Sequence, residues 1–402
     1  MVKRTLDAFF KPSTTTPKRP KAEPIKSTTA ITTPELNKNP VEDTSPPSQH
    51  PSYPFPIAQL SSHIEVGLKH ATPATEPREI NNQPHLDLLH FQPYIPRPTA
   101  NELFKFLRCE LPFYRVQYTA RRGDIETQIN TPRWTTVFGV DETSTFIREQ
   151  DDNPNTLILL ETKTKTVVPK TKYQCTPRPI PACLDLLRRQ VEAVNANANP
   201  NADIKDPGYN FCLVNYYASG DDSIAFHSDD ERFLGPDPNI ASLSLGGERD
   251  FLMKHKPAVP GRVVNQTAGG CVPDTALAIS GVGGTSATRA SCTVSGGTSN
   301  SNTGSSLGSR TPATVPLQQI KMSLGSGDLV VMRGATQSNW LHSIPKRKGR
   351  AGEATRGRIN ITFRRAVVPG GTNNYYHYNV GRGGMYRWDE VSRQMVLQDK
   401  KV

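Results

Sequence analysis

The triplet His227-Ser228-Asp229 has the spacing in this chain that could do the most chemistry. Side chains alternate faces along a strand, so residues two apart project together. If Ile224–Asp229 is extended, an imidazole nitrogen and a carboxylate oxygen lie side by side. One neutral nitrogen ligand and one anionic oxygen ligand are two-thirds of a 2-His-1-carboxylate iron site. The third ligand must be a histidine from a later strand. His342, in Asn339-Trp-Leu-His-Ser-Ile344, follows a strand-like run and precedes Pro345, and it is the candidate. A lone histidine beside an apolar run is more often structural. Here the other two ligands already demand a partner.

A second constellation stands in Arg358-Ile-Asn-Ile-Thr-Phe-Arg364. Period-two alternation puts Arg358, Asn360, Thr362 and Arg364 on one face and Ile359, Ile361 and Phe363 on the other. Two guanidinium forks with Asn and Thr between them suit a dicarboxylate, because each fork pairs bidentately with a carboxylate. An ordinary amphipathic strand with a solvated face is the plainer alternative. Phe211, Leu213, Asn215 and Tyr217 likewise share a face, which turns polar just before the His-Ser-Asp turn. Polar groups on both sides of a metal fit a chelating keto-acid.

The elements that must position these residues are bounded by composition. The 402 residues carry 48 Lys and Arg against 37 Asp and Glu, a net charge of +11, which favours an anionic partner such as nucleic acid. Six cysteines, at 109, 175, 183, 212, 271 and 292, form no CxxC pair and predict reduced thiols rather than a disulfide scaffold. No apolar run is long enough for a membrane span, and the N-terminal MVKRTLDAFFKP lacks a signal-peptide core. Hydrophobic content is only 35%, so part of the chain is expected to be disordered.

That part is residues 1–90, rich in Pro, Ser, Thr and Lys. Within it Leu6, Phe9 and Phe10 have the spacing of one helical face, as in peptides that dock in a groove. The pattern resembles the sliding-clamp-binding box of replication and repair proteins, with Lys3 where Gln is usual. Pro17-Lys-Arg-Pro-Lys21 reads as a nuclear-import cluster. From residue 91 the composition becomes globular. Thr99 or Asn101 is expected to cap a helix carrying Leu103, Phe104 and Leu107. Strands are expected over residues 113–118 and 134–139, a loop over 141–168, a helix over 181–194 and a loop over 195–202. Residues 258–320, rich in Gly, Ser and Thr, read as a flexible insertion, because strand-like sequence continues on both sides. Strands resume at Asp328–Met332 and Arg358–Arg364, and residues 367–402 read as a tail.

Taken together, Asn215-Tyr-Tyr217, His227-Ser-Asp229-Asp-Glu, Ile240-Ala-Ser-Leu-Ser-Leu-Gly-Gly-Glu-Arg-Asp-Phe, Asn339-Trp-Leu-His342-Ser and the Arg358–Arg364 strand resemble the AlkB-type Fe(II)/2-oxoglutarate dioxygenases. The likeness is strongest to the eukaryotic DNA-repair branch, in a fungal-like form. It covers about residues 95–366 without the insertion. The resemblance implies a mainly β fold with flanking helices (α+β), built on a double-stranded β-helix, the jelly roll. It implies Fe(II) on His227, Asp229 and His342, with O2 as oxidant. It implies 2-oxoglutarate held by Asn215, Tyr217, Arg358, Thr362 and Arg364, with Arg364 on the distal carboxylate and Asn360 as part of the motif. Asp230 matches an acidic position that contacts the target base, with Glu231 beside it, and Pro132-Arg133 matches a Pro-Arg in the substrate lid.

The implied activity is oxidative removal of N-methyl groups from 1-methyladenine or 3-methylcytosine in DNA. Its products are formaldehyde, succinate and CO2, and the target nucleotide must be flipped out of a duplex. A nuclear monomer tethered to the clamp through Leu6, Phe9 and Phe10 is the expected setting. The chain departs from duplex-binding relatives after Arg115-Val-Gln117. Their finger Phe is missing, leaving Tyr118 to stack and Arg121 and Arg122 to hold phosphates. Tyr173 and Phe146 are the two candidates for the aromatic that stacks on the base. The alternatives are a related oxygenase acting on RNA or protein, and a non-catalytic nucleic-acid or clamp-binding scaffold.

Overall fold

Short strands, several of them alternating apolar and polar residues, pair into facing antiparallel sheets. The computed structural model describes residues 53–122, 125–148, 157–197, 208–257, 318–348, 357–377 and 383–398. The N-terminal part contains α1 (Ser62–His70), β1 (Arg78–Ile80), β2 (Leu88–Phe91) and α2 (Arg97–Glu110). There follow β3 (Phe113–Tyr114), β4 (Gln117–Arg122), β5 (Ile125–Asn130), β6 (Trp134–Gly139), β7 (Ser144–Arg148), β8 (Leu157–Glu161) and α3 (Ala182–Asn197). Next come β9 (Phe211–Tyr217), β10 (Ile224–His227), β11 (Ile240–Gly246), β12 (Arg249–His255), β13 (Ile320–Leu324) and β14 (Leu329–Met332). The chain closes with α4 (Thr336–Asn339), β15 (Trp340–Ile344), β16 (Arg358–Arg364), α5 (Asn373–Tyr376), β17 (Met385–Asp389) and β18 (Gln394–Gln398).

Strands β9 to β16 define the architecture. In the larger sheet β9, β16, β11 and β14 are consecutive neighbours, and the smaller sheet has the order β10-β15-β12-β13. All of these pairings are antiparallel. The chain passes from one sheet to the other at each step except the β12–β13 hairpin. That winding is the double-stranded β-helix, a jelly roll. Phe211, Leu213 and Tyr217 from the larger sheet meet Phe251, Met253 and Trp340 from the smaller one and fill the space between them. On its other face the larger sheet presents Val214, Leu243, Ile359, Ile361 and Phe363 to Leu103, Leu107, Leu184, Leu187 and Val191 of α2 and α3. Each such side chain contributes about 1.5–3 kcal/mol on full burial. Helices on one face therefore hold the sheet flat against the smaller one, and the polar face of β16 is left to look inward.

Several sequence expectations change. The globular part begins well before residue 91: Ile57, Leu60, Ile64 and Leu68, spaced like one face of α1 and its approach, are buried against α2. A Pro- and Thr-rich composition masked that short stripe. Residues 141–168 are not a loop, because β7 and β8 pair from Ser144↔Glu161 to Arg148↔Leu157. Helix α2 starts at Arg97 with Pro96 in the capping position, so Thr99 and Asn101 lie inside it. Helix α3 runs to Asn197, into the expected loop. Beyond residue 366, α5 and the β17–β18 hairpin pack on the domain, with Tyr376 fully buried and β17 paired to β3. Ile320 opens β13 opposite Met253, while residues 258–317 lie outside the described residues. So do residues 1–52, with Leu6, Phe9, Phe10 and the Pro17–Lys21 cluster. Cys109, Cys175, Cys183 and Cys212 are free thiols. Among the described residues no helix is long and apolar enough to cross a membrane.

Candidate metal centre

Strands β10 and β15 pair so that His227 and His342 are direct cross-strand partners. Their rings lie 4.2 Å apart between centroids. Asp229 follows two residues after His227, and the ligand atoms of the three side chains all lie within 4.8 Å of one another. His227 Nε2 is 3.7 Å from Asp229 Oδ1, and His342 Nε2 is 3.8 Å from Asp229 Oδ2. His227 Nδ1 lies 2.9 Å from the Ala225 carbonyl, an arrangement that makes Nδ1 the donor and leaves the Nε2 lone pair for a metal. Phe251 stacks on the His342 ring at 5.4 Å. The Asp229 N–H donates to Gln337 Oε1 at 2.9 Å, which fixes the turn after β10.

Protonation favours the same reading. Burial, reinforced by His227, pushes His342 down to about 3, so its imidazole is neutral at neutral pH. Burial works against the Asp229 carboxylate, but Arg364, His342 and His227 together hold its pKa below the ordinary range. Metal ligands must be deprotonated, and two neutral imidazoles with one ionised carboxylate meet that condition. The donor set fits Fe(II) with coordination positions left open.

Next to this triad β16 presents its polar face. Arg358, only 1% exposed, donates from Nη2 to Ser244 Oγ at 2.8 Å. Its Nε and Nη1 are buried with no hydrogen-bond partner among the described residues. Burial lowers its pKa to about 10. The guanidinium lies 5.4 Å from the Tyr217 ring, and Arg249 approaches the same ring at 5.7 Å. Asn360 Nδ2 donates to Ser242 Oγ at 2.8 Å, and Thr362 Oγ1 to the Leu213 carbonyl at 3.2 Å. Asn215, cross-strand partner of Asn360, accepts from Arg133 Nε at 3.2 Å. A buried cation with free donors and no carboxylate partner is costly unless an anion joins it. This pole fits one carboxylate of a dicarboxylic acid.

Arg364 occupies the opposite end. Its Nη2 is 2.9 Å from Asp229 Oδ1, so it braces a metal ligand. Arg364, expected on the distal carboxylate, meets Asp229 here; both arginines keep buried donors without a partner among the described residues, Nε of Arg364 and Nε and Nη1 of Arg358. The two arginines stand six positions apart on β16, roughly 20 Å between their Cα atoms, so they reach into the space from opposite ends.

The four expected substrate contacts are placed differently from one another. Asp230 is exposed and bound to Lys256 Nζ at 2.6 Å, so its charge is already answered at the surface. Glu231 turns inward: Oε1 accepts from the Tyr375 hydroxyl and lies 3.4 Å from Arg364 Nη1, while Oε2 is buried without a partner among the described residues. Arg133 donates to Asn215, the cross-strand partner of Asn360 on β16. Tyr118 lies on β4 opposite Ile129, and its side chain is outside the described residues, as are those of Arg121 and Arg122. The Tyr173 hydroxyl is tied to Ser144 Oγ at 2.9 Å and Asp141 Oδ2 at 3.2 Å, which gives it a role in the β7 region. Phe146 sits half-buried on β7. Sequence reasoning missed Ser242, Ser244, Arg249, Gln337 and Tyr375. The alternation in Ile240-Ala-Ser-Leu-Ser-Leu could have found the two serines. Nothing local marks Tyr375.

Comparison with known proteins bears on this arrangement. The family model described as the 2OG-Fe(II) oxygenase superfamily matches residues 87–364. The DNA oxidative demethylase ALKBH2 of Arabidopsis thaliana is 33% identical over 156 residues, 39% of this chain and 37% of that protein. The DNA oxidative demethylase ALKBH2 of Mus musculus is 28% identical over 192 residues, 48% of this chain and 54% of that protein. The alpha-ketoglutarate-dependent dioxygenase alkB homolog 3 of Mus musculus is 27% identical over 197 residues, 49% of this chain and 48% of that protein. The chain thus spans about half or less of the length of these curated relatives.

Proposed function

The chain belongs to the 2OG-Fe(II) oxygenase superfamily, and on that premise we propose that it is a DNA-repair dioxygenase removing N-linked methyl groups from bases such as 1-methyladenine and 3-methylcytosine. The observation that carries the substrate reading is Glu231. A carboxylate oxygen, Oε2, lies buried and unpartnered beside the ligand Asp229 and its brace Arg364. A buried acceptor of this kind calls for a donor, and the exocyclic amine of adenine or cytosine is one. The relatives named as DNA oxidative demethylases support the same substrate class.

His227, Asp229 and His342 would hold Fe(II). Arg358, with Tyr217, Asn215 and the Asn360–Thr362 face, would receive 2-oxoglutarate. When bound, this pair with O2 supplies an oxidation that places one oxygen atom in succinate, as CO2 leaves, and the other in a methyl C–H bond. The protein's own residues do the positioning. Arg364 keeps Asp229 ionised and aimed, His227 Nδ1 is tied to Ala225, and Phe251 fixes the His342 ring. The hydroxymethyl product then breaks its C–N bond. The electron pair returns to the ring nitrogen, the hydroxyl proton is lost, and formaldehyde leaves. A base stacked in a duplex must be flipped to reach the pocket. Lys254, lying over Phe226 at 4.2 Å, and the exposed Lys346 and Lys348 offer cations for phosphates.

The test is formaldehyde release from methylated oligonucleotides with Fe(II), ascorbate and 2-oxoglutarate, beside His227→Ala. Turnover lost in the variant is the expected result. Consumption of 2-oxoglutarate by the wild type without repair of any oligonucleotide would sink the DNA reading. The clamp contact through Leu6, Phe9 and Phe10 and residence in the nucleus belong to the same proposal. Loss of clamp capture on replacing both phenylalanines by alanine is the expected outcome for the first.

A further inference from the structure

The family match ends at Arg364, yet the chain beyond it returns to the metal pocket. Tyr375 packs its ring on Phe211 at 5.5 Å and on Phe233 at 5.8 Å. Its hydroxyl reaches Arg364 Nη1 at 3.1 Å and Glu231 Oε1. The direction of these bonds is determined by chemistry. A guanidinium has no acceptor, so the hydroxyl oxygen accepts from Arg364, and its single proton goes to Glu231. Glu231 Oε1 is thereby engaged by Tyr375, with Arg364 Nη1 at 3.4 Å. Oε2 is the oxygen left without a partner. Asp230, the neighbouring carboxylate, is held by Lys256 and does not compete.

We propose that Tyr375 is a positioning residue that locks the Glu231 carboxylate, so that the C-terminal segment helps to choose which methylated base is accepted. The proposal rests on the dealkylation reading above. With Glu231 locked, Oε2 accepts from a base that carries an exocyclic amine. A base with only carbonyl oxygens at its edge meets the same lone pairs and is repelled. 3-Methylcytosine belongs to the first kind and 3-methylthymine to the second. Without the hydroxyl, the carboxylate swings between rotamers, and the contrast between the two bases shrinks.

The experiment uses the full chain and Tyr375→Phe, which keeps the ring and removes only the hydroxyl. Initial rates are measured on single-stranded oligonucleotides bearing 3-methylcytosine or 3-methylthymine, with the KM for 2-oxoglutarate measured alongside. Loss of one hydrogen bond to a charged group should lower the 3-methylcytosine preference about tenfold, through kcat/KM for that base. The KM for 2-oxoglutarate and the melting temperature with Mn(II) and succinate should stay near wild type. An unchanged preference overturns the proposal. So does an equal loss on both bases, which marks a structural residue, or a raised KM for 2-oxoglutarate alone, which marks action through Arg364. Glu231→Gln keeps the question open to test if Tyr375→Phe folds poorly: it should reproduce the loss of preference, and the double variant should add nothing. Additive losses refute the lock. A wild type that consumes 2-oxoglutarate but repairs neither oligonucleotide refutes the dealkylation reading itself, and this proposal with it.

Discussion

Arg358 should be a liability to the ligand-free protein and the main handle for its co-substrate. In Arg358→Met these two roles separate. Burial carries the guanidinium from its ordinary range down to about 10, and at about 1.4 kcal/mol per unit this is roughly 3 kcal/mol of charge burial. The substitution removes that cost. It also removes the bond from Nη2 to Ser244 Oγ, worth about 1 kcal/mol. The ligand-free variant should therefore be more stable by about 2 kcal/mol and melt several degrees higher. The same change deletes a charge-assisted pairing with a carboxylate of the co-substrate, worth about 3 kcal/mol, and should weaken 2-oxoglutarate about a hundredfold. The assay is thermal unfolding of wild type and variant, with Mn(II) in place of Fe(II), across a series of 2-oxoglutarate concentrations. A raised baseline with no ligand-induced shift is the expected pattern. A variant that melts lower than wild type and still responds to 2-oxoglutarate would refute the assignment of Arg358 to the co-substrate.

Two other perturbations test the frame and the metal. His90, 3% exposed on β2, has its pKa lowered to about 4 by burial and secondarily by Arg78, so it is neutral in the folded protein. The unfolded chain binds that proton below about 6.5, so stability is lost as pH falls from there toward 4, with about 2 kcal/mol gone by pH 5. Denaturant midpoints at pH 7 and pH 5 should diverge less in His90→Leu than in wild type, and an equal divergence would remove His90 from the acid limb. Asp229→Asn takes away the anion shared by the metal site and Arg364 and leaves the buried guanidinium with Glu231 alone, at 3.4 Å, as its counter-charge. Fe(II) affinity, read by competition with a chelator, should fall at least tenfold, and stability should drop by about 3 kcal/mol. Retention of both would show that Asp229 is no ligand.

Alternation along single strands was enough to place much of the site. It put Arg358, Asn360, Thr362 and Arg364 on one face with Asn215 and Tyr217 on the neighbouring strand; the His227–Asp229 spacing was also legible, but β10 ends at His227 and Asp229 is placed by the turn that Gln337 holds, not by an extended strand. The shared face is a consequence of pleat geometry within a few residues, and side-chain chemistry then named the ligands. The division of labour between the two arginines was not available at that range. It depends on which end of β16 lies against the metal, and the pairing of β16 with β9 and β11 decides that. Nor could composition show that Ile57, Ile64 and Leu68 are core residues, because a short apolar stripe inside a Pro- and Thr-rich stretch stands out only once α2 is there to receive it. Asp230 and Glu231 are adjacent and chemically alike. One is neutralised by Lys256 from β12's end and the other is turned inward by Tyr375 from α5. Sequence determined the residue types that could bind a metal and an oxo-acid. Tertiary structure alone decided which charges were answered and which were left for a ligand, because a charge's partner in a folded protein comes from wherever the chain returns.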